Sequence, residues 1–476
     1  MAPSVVDLSK TLSLATTTAA ERALLAQLQG NVLKGHGRPH AAHLLLCFRQ
    51  APAGRALLRG LLPQLSRADV QLADARRVSA AREAGTPLQT PPFVACLLSA
   101  SGYRALQVPR ERWPSDPAFV EGLKDRQPML RDPDHAGWEP AWRGEVHALV
   151  QLAGDAPQVD AQLAAWTAAW TAALPDGVEL LGIEHARTWR NARGEGIEHF
   201  GFVSGLSQPV MIEEDLARDA LRRGDSQRWS PRFPLGQVLV RDPAVDDPAA
   251  HGSYVVCRKL EQNVHAFRQA EAALARGLRK LGAAADAALA GAMLVGRFAD
   301  GTPLALQGHD GLAPPQAGDF DYADDPQGLR CPFHAHIRKT NPRGDTVREF
   351  GIDAAAERAR LMARRSMPYG ERRQDAQMRF SDAPSHGVGL LFMACQASIV
   401  EQFEFSQANR ANDEGFVLGH TGIDPLAGQG GAVKHRHHAS WGDAQAPTLA
   451  QRMSGFVTLK GGEYFFAPSL AFFASL

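Results

Sequence analysis

The order of strand-like and helix-like stretches is the feature that most constrains the fold of this chain. Helical apolar spacing covers 52–77 and 157–173, and each of these stretches follows a short apolar run and precedes another. The runs have the length of buried strands: "HLLLCF" (43–48), "PFVACLLSA" (92–100), "VHALVQLA" (146–153) and "GVELLGIE" (177–184). Strand, helix, strand, strand, helix, strand is the ferredoxin-like order. The first half is therefore predicted to be α+β.

This order recurs in part in the second half. Strands are predicted at "SYVVCRKLEQN" (253–263), "GVGLLFMACQ" (387–396) and "GEYFFAP" (462–468), with helices at 264–281 and 398–411. Between them, residues 297–385 are rich in Gly, Pro, Asp and charge, and an insert of that length usually carries function. We therefore predict two ferredoxin-like halves, each with an antiparallel sheet and helices. They cover 28–215 and 250–476 and join near 215–250.

Composition excludes several classes of protein. Lys+Arg and Asp+Glu both number 51, so no phosphate-seeking field is expected and nucleic acid is excluded as the main partner. The five cysteines are scattered, which predicts free thiols and a reducing compartment. The N-terminus has no secretory pattern, and no apolar run reaches membrane-spanning length. We expect a cytoplasmic protein with no membrane partner, and no sequence feature predicts its oligomeric state.

The stretch "CPFHAHIRKTNPRGD" (331–345) is the most unusual in the chain. It places His334, His336 and Arg338 close together, next to further cations. Imidazole is a common ligand of iron, zinc and copper, and the cations would suit a cofactor that carries carboxylates. Two interpretations follow: a metal or heme site, or a basic surface loop with hydrogen-bonded histidines.

Two other basic stretches are weaker candidates. In "RRSMPYG" (364–370), Arg364 could stabilise a developing anion, or it could lie exposed at a helix end before a turn. The run "KHRHHASWG" (434–442) has no cysteine or carboxylate at ligand spacing, so a solvated or hydrogen-bonded loop is the favoured interpretation.

Residues 199–209, "HFGFVSGLSQP", predict a tight turn. Gly201 and Gly205 bracket it, and Ser204 precedes the second glycine. Glycines allow such a turn to press its backbone against a ligand.

Taken together, these motifs resemble the dye-decolourising peroxidase family of heme proteins over nearly the whole chain. The motifs that stand in the family's order are "LQGNVLKGHGRPHAAHLLLCF" (28–48), "NARGEGIEHFGFVSGLSQP" (191–209), "GSYVVCRKLEQNVHAF" (252–267), 331–345, 364–370 and "FVTLKGGEYFFAPS" (456–469). Several long motifs in order are more specific than one. The resemblance implies two ferredoxin-like halves with heme b, an iron cofactor, mainly in the C-terminal half.

The resemblance also implies roles for individual residues. His336 matches the proximal iron ligand, whereas His334 does not, and Arg364 matches the distal arginine. Arg338 matches a residue that meets a heme propionate. Leu390 and Phe392 match apolar residues that flank the peroxide pocket. An acid supports the proximal imidazole in the family, and the candidates here are Glu401 and Glu404.

The turn departs from the family pattern at one position. The family reads Gly-Phe-X-Asp-Gly, and this chain has Ser204 before Gly205 where the distal aspartate stands. A carboxylate can take and return a proton near neutral pH, whereas a serine hydroxyl is a poor acid and a poor base. Arg364 is therefore expected to be the main distal catalyst.

Two functions remain open from the sequence. The first is a heme b peroxidase that uses hydrogen peroxide to oxidise a small organic reductant such as a phenol or a dye. The alternative is a heme-binding protein with weak peroxidase activity that serves oxygen-atom transfer, heme carriage or sensing. A relative that does not bind heme would require His336 to be unused.

Overall fold

The computed structural model describes residues 5–86, 88–173, 177–224, 226–313, 318–430 and 433–476. The strands are β1 (His40–Phe48), β2 (Phe93–Ser99), β3 (Ala148–Gly154), β4 (Val178–Arg187), β5 (Trp189–Arg190), β6 (Gly196–Ile197), β7 (Val240–Arg241), β8 (His251–Gln262), β9 (Ala363–Arg364), β10 (Met367–Tyr369), β11 (Gly389–Gln396), β12 (Lys434–His438), β13 (Thr448–Arg452) and β14 (Val457–Ala467).

The α-helices are α1 (Ala19–Gln27), α2 (Ala51–Leu61), α3 (Ala68–Glu83), α4 (Ala100–Ala105), α5 (Pro117–Glu121), α6 (Gln127–Leu130), α7 (Pro140–Arg143), α8 (Ala156–Ala173), α9 (Glu213–Arg223), α10 (Val264–Lys280), α11 (Ala287–Val295), α12 (His336–Thr340), α13 (Asp345–Phe350), α14 (Ala354–Ala359) and α15 (Leu470–Ser475). Short 3-10 turns lie at Leu62–Gln64, Arg110–Arg112, His135–Gly137 and Leu235–Gln237, and a π-helix at Ile399–Ala411. Of these helices, none is long and apolar enough to cross a membrane.

The first half has the predicted ferredoxin-like topology. Its strands lie in the order β2-β3-β1-β4, and all the pairs are antiparallel. Strands β2 and β3 are buried along their whole length, as expected for short apolar runs at the centre of a sheet. The predicted helix over 52–77 is instead two helices, α2 and α3. Pro63 follows α2, and a proline interrupts the helical hydrogen-bond series.

The second half repeats this topology with a strand that the hydrophobic pattern does not reveal. The order is β10-β11-β8-β14, so β8, β11 and β14 are the three predicted strands. The remaining position is filled by β9 and β10, which pair with β11 and come from the polar insert over 297–385. The insert also carries α12, α13 and α14. Arg364 therefore lies on a strand and not at a helix end.

The two halves share one ten-stranded sheet. Strand β14 pairs with β2, with Phe465 opposite Ser99 and Phe466 opposite Leu98. The sheet also curves, because Met367 and Tyr369 of β10 pack in one cluster with Ala41 and Ala186 from the other end of the sheet. The fold class is confirmed. The division at 215–250 stays a prediction.

Candidate active site

A cavity of about 610 Å³ lies among α12, β9, β10, β11, the π-helix and the turn around residues 198–209. That volume is in the range of sites for small molecules and cofactors. Six of the predicted site residues line the cavity: Ser204, Gly205, His336, Arg364, Leu390 and Phe392. Arg338, Glu401 and Glu404 do not. The structure thus brings together most, but not all, of the predicted site.

His336 presents one ring nitrogen to this cavity. It is the first residue of α12, and its side chain is 29% exposed. Nδ1 lies 2.7 Å from Oδ2 of Asp424, a distance that fits donation of the Nδ1 proton to the carboxylate. Among the described residues, Nε2 has no hydrogen-bond partner. In the tautomer that carries its proton on Nδ1, the lone pair of Nε2 faces the cavity, as a metal ligand requires.

Asp424 is fixed as an ionised carboxylate. Its side chain is fully buried, and Oδ1 accepts hydrogen bonds from the backbone N–H groups of Leu426 and Ala427 at 2.8 and 3.0 Å. Burial alone would raise the pKa of Asp424, but the His336 ring and these two donors lower it overall. A carboxylate in this position fixes the tautomer of the ring and raises its basicity as a ligand.

The prediction that Glu401 or Glu404 supports this histidine is wrong. Glu401 lies on the exposed side of the π-helix and pairs with Arg360. Glu404 is buried and accepts two hydrogen bonds from Arg126 and one from the Tyr464 hydroxyl. Asp424 lies 88 residues after His336, so no local spacing connects the two. The only local indication is "IDPLAG", since Asp before Pro is typical of a turn.

The prediction that Arg338 faces the cofactor is also wrong. Its guanidinium is 1% exposed and pairs with Asp325 and Asp345 at 2.8 and 2.7 Å. It also packs over the rings of Tyr322 and Phe333. Residues two apart on a helix lie about 200° around its axis from each other, so Arg338 points away from the cavity that His336 faces.

Arg343 lies in the cavity wall instead. It donates hydrogen bonds to the carbonyls of Gly318 and Phe320 and to the Ser207 hydroxyl. No carboxylate pairs with it in the part of the chain that the structure describes. Burial, together with the nearby Arg297, lowers the pKa of Arg343 to about 9, so an anion beside this guanidinium would stabilise its charged form. A cofactor carboxylate would supply one.

Arg364 connects the predicted turn to the sheet. It lies on β9 opposite Ala394 of β11, and its Nη2 donates to the carbonyl of Leu206 at 2.6 Å. Its backbone N–H donates to the side chain of Gln208. Burial lowers the pKa of Arg364, yet a guanidinium stays protonated in proteins, so a fixed cation lines the cavity.

The turn before Leu206 adopts the conformation that its glycines allow. Gly201 and Gly205 have φ values of +89° and +76°, in the left-handed region where glycine is favoured. The backbone N–H of Ser204 donates to the Gly196 carbonyl at 2.9 Å. The Ser204 hydroxyl lies 3.5 Å from the same carbonyl and is otherwise exposed at the cavity wall. The turn and Arg364 are thus held as one unit.

Leu390 and Phe392 supply an apolar part of the wall. They alternate with buried residues on β11, so both point to the cavity side of the strand. The Phe392 ring lies 6.2 Å from that of Phe403 on the π-helix. π-Helical segments are rare and often lie at functional sites.

Glu198 is the only carboxylate residue among the described residues that line the cavity. Its oxygens accept hydrogen bonds from the N–H groups of Phe200 and Phe202 and from the side-chain amide of Gln262. Burial raises the pKa of Glu198 although these donors oppose the shift. Glu198 therefore holds the base of the turn.

The histidine-rich run over 434–442 is not a solvated loop. Residues 434–438 form β12, and His435 and His437 are fully buried. His435 Nε2 lies 2.8 Å from the carbonyl of Ile423, next to Asp424. Within the described ranges, no group of three or more His, Cys, Asp or Glu residues could hold a metal ion by itself.

The residues present fit a heme group. His336 offers an open imidazole nitrogen backed by a carboxylate, Arg343 offers a cation for a cofactor carboxylate, and β11 offers an apolar wall. A single histidine without other metal ligands is a usual way for a protein to hold heme iron.

Comparison with known proteins agrees with this geometry. No protein-family model matches the chain. The multifunctional dye peroxidase DyP2 of Amycolatopsis sp. is 41% identical over 99% of this chain and 100% of its own length. The dye-decolorizing peroxidase msp1 of Mycetinis scorodonius is 30% identical over 78% of this chain and 74% of its own.

Solved structures give the same result. The Amycolatopsis DyP2 structure has a TM-score of 0.90 at 39% identity and covers 99% of this chain and 100% of that one. A DyP-type peroxidase from Anabaena sp. has a TM-score of 0.87 at 36% identity and covers 99% of both chains. The chain therefore belongs to the dye-decolourising peroxidase family and is a heme-dependent peroxidase.

Proposed function

We propose that this protein is a heme b peroxidase that oxidises phenolic or dye-like reductants, with Arg364 as its main distal catalyst. The observation that carries the proposal is the contrast between two residues of one cavity. Arg364 is a fixed cation, and Ser204 stands where an acid is expected. Overall, hydrogen peroxide takes two electrons and two protons and is reduced to two waters, while two phenolic or dye molecules each lose one electron.

His336 would hold the iron through Nε2. The bound heme supplies an iron centre that exchanges electrons with peroxide and reductant. Asp424 keeps the proton on Nδ1 of His336, so the lone pair of Nε2 stays directed into the cavity. Arg343 would receive a heme carboxylate, in the role that the sequence predicted for Arg338.

Arg364 would stabilise negative charge as the O–O bond of peroxide breaks. Its bond to the Leu206 carbonyl and its place on β9 fix the guanidinium before peroxide arrives. Donors fixed in advance are effective because they need no reorganisation during the reaction. Loss of one such donor typically costs about 10²–10³ in rate.

Ser204 would orient water and not exchange protons. A hydroxyl can donate and accept hydrogen bonds but does not titrate near neutral pH. The remaining cavity carboxylate, Glu198, already accepts hydrogen bonds from two backbone N–H groups and one amide. Proton transfer would therefore pass through water, and Arg364 would provide most of the rate enhancement.

Two kinds of relatives support the choice of reductant. The most similar proteins reported above are named as dye peroxidases. A solved relative at 26% identity and a TM-score of 0.72 is described in complex with 2,6-dimethoxyphenol. We infer a small aromatic reductant of the same kind for this chain.

Ser204 favours the second candidate function, a heme-binding protein with weak peroxidase activity that serves oxygen-atom transfer, heme carriage or sensing. Stopped-flow absorbance of the heme-loaded protein distinguishes the two. A peroxidase changes its spectrum within milliseconds to seconds of mixing with peroxide and returns to the starting spectrum when a phenol is added. A protein that only bleaches, or that does not respond, would contradict the proposal.

A further inference from the structure

The charged residues that line the cavity are mostly positive. The whole chain has equal numbers of acidic and basic residues, 51 of each. The wall contains one carboxylate residue and eight arginines: Arg38, Arg190, Arg258, Arg297, Arg343, Arg360, Arg364 and Arg365. Among the described residues, Arg258 pairs with Asp132 and Arg360 pairs with Glu401. A heme with two carboxylates leaves cations that the cofactor does not neutralise.

Two of these cations lie in one arm of the cavity, which we define by Gly35, His36, Gly37, Arg38 and Arg365. Arg365 follows the distal arginine on the chain. It donates hydrogen bonds to the carbonyls of Asn31, Val32 and Arg364. It therefore connects the loop before β1 to the strand that carries Arg364.

Arg38 connects the same loop to the residues that precede β2. Its guanidinium donates to the Thr90 hydroxyl and, at 3.1 Å, to the Pro91 carbonyl, and its buried Nε has no partner. Its backbone N–H donates to Nδ1 of His36 at 3.0 Å. A guanidinium has five N–H donors, so both arginines have donors left for a ligand.

His36 lies next to both cations: its Nδ1 accepts a hydrogen bond from the backbone N–H of Arg38, and a Cβ on the preceding Gly35 would lie 3.8 Å from Cδ of Arg365. Its ring stacks on Phe93 at 5.2 Å. Burial, His43, Arg38 and Arg365 together lower the pKa of His36 to about 3. The imidazole is therefore neutral and offers a flat face beside two positive charges.

We propose that this arm is a docking site for the carboxylate end of a small aromatic reductant, held by Arg38 and Arg365. Neither guanidinium has a carboxylate partner among the described residues, and each residue is partly buried. Planar guanidinium groups suit a carboxylate because they can donate two parallel hydrogen bonds. The glycines on either side of His36 leave room, since a Cβ at Gly37 would meet no atom within 4 Å.

The identification of the ligand as a reductant rests on the proposed function, but the binding test does not require catalytic turnover. Isothermal titration calorimetry of the resting, heme-loaded protein would measure the affinity of benzoate, benzamide and chloride. We expect benzoate to bind at least 10-fold more tightly than either neutral benzamide or chloride. Equal affinity for benzoate and benzamide would overturn the charge assignment, and equal affinity for chloride would overturn the organic ligand.

Two variants locate the site. Arg38→Gln should weaken benzoate binding about 10- to 100-fold, the range for loss of a charge-assisted hydrogen bond. Gly35→Leu should place a bulky side chain in the arm and block it. The fold should tolerate this change, because a Cβ at position 35 meets only Arg365 Cδ, at 3.8 Å, and the backbone conformation there accepts a side chain. Arg59→Gln removes an exposed arginine of α2 and is the matched control, with unchanged affinity.

The result that would overturn the proposal is benzoate binding that Arg38→Gln and Gly35→Leu leave unchanged while Arg364→Leu abolishes it. The anion would then sit beside Arg364 and not in the arm. A protein that binds benzoate in the arm but does not react with peroxide would contradict the proposed function alone, so the two failures can be told apart.

Discussion

The two sides of the cavity differ in how they manage charge. On the His336 side, a buried carboxylate accepts hydrogen bonds from the ring and from two backbone N–H groups, so its negative charge is fully hydrogen-bonded. On the Arg364 side, the guanidinium donates to a carbonyl, and the turn that it contacts carries the Ser204 hydroxyl. The first arrangement fixes a ligand, whereas the second leaves positive charge available to a reacting group.

The two sides share no hydrogen bond among those described, so we expect a substitution at Ser204 to leave the His336–Asp424 pair intact. An imidazole that binds a metal must be held in one orientation, which a hydrogen-bonded carboxylate achieves. A guanidinium that stabilises developing negative charge must not already be paired with a carboxylate.

The largest expected effect comes from removing the ligand itself. His336→Ala should leave heme weakly held, because the axial bond to the iron is lost. Heme content after gel filtration, measured by the pyridine hemochrome assay, checks this. His334→Ala is the matched control and should keep the iron coordinated. Full occupancy with an unchanged spectrum in His336→Ala would refute the assignment.

The next largest effect tests the opposite side. Arg364→Leu should slow the first spectral change with peroxide by about 10²-fold or more, since it removes the fixed cation. Heme binding should survive. Arg364→Lys keeps the charge but not the planar fork, so it should lose less. An unchanged rate in Arg364→Leu would exclude this residue from the chemistry.

A smaller effect is expected when the carboxylate behind His336 is neutralised. Asp424→Asn should lower heme affinity about 10- to 100-fold and raise the reduction potential of the iron, because the imidazole becomes a weaker base. Heme transfer to excess apomyoglobin and a redox titration measure the two changes. Glu401→Gln alters an exposed acid of the π-helix and should do neither. Equal effects of both variants would contradict the role of Asp424.

The smallest expected effect is an increase in the rate of reaction with peroxide. Ser204→Asp should speed the reaction with peroxide by about 10-fold, less than the 10²–10⁴ of an established proton-transfer group, because its surroundings are not arranged for an acid. The carboxylate must be ionised to accept a proton. The gain should therefore be present above the pKa of the new acid and disappear as the pH falls through it, in stopped-flow rates measured across pH.

Ser204→Ala completes this comparison. It should cost less than Arg364→Leu, since the hydroxyl only orients water. If Ser204→Ala abolished the reaction with peroxide while Ser204→Asp gained nothing, the hydroxyl itself would be essential and our account of the turn would be wrong.

The fold could be predicted from sequence where burial imposes a pattern. Strands β1, β2, β3, β8, β11 and β14 are apolar because sheet interiors exclude water, and each was predicted. Strands β9 and β10 have only two and three residues, and β9 carries the polar Arg364, so the hydrophobic pattern does not mark them. Their pairing depends on β11, which lies far along the chain.

The site shows the same limit. The motifs around His336 and Arg364 were recognised because their residue types are unusual and close together. Asp424 was missed because only the folded chain brings it to His336. The prediction for Arg338 was wrong because His336 begins a helix, on which a residue two positions later points to a different side.

The pairing of β14 with β2 has a consequence for how the molecule could have arisen and how it comes apart. Two units of like topology share hydrogen bonds along a common edge. Separation of the units would expose unpaired backbone on both, and exposed sheet edges promote aggregation. If the chain arose by gene duplication, pairing of the two copies along this edge would have replaced two exposed edge strands with two strands in the interior of one sheet. Such a chain is expected to lose its structure in a single cooperative event.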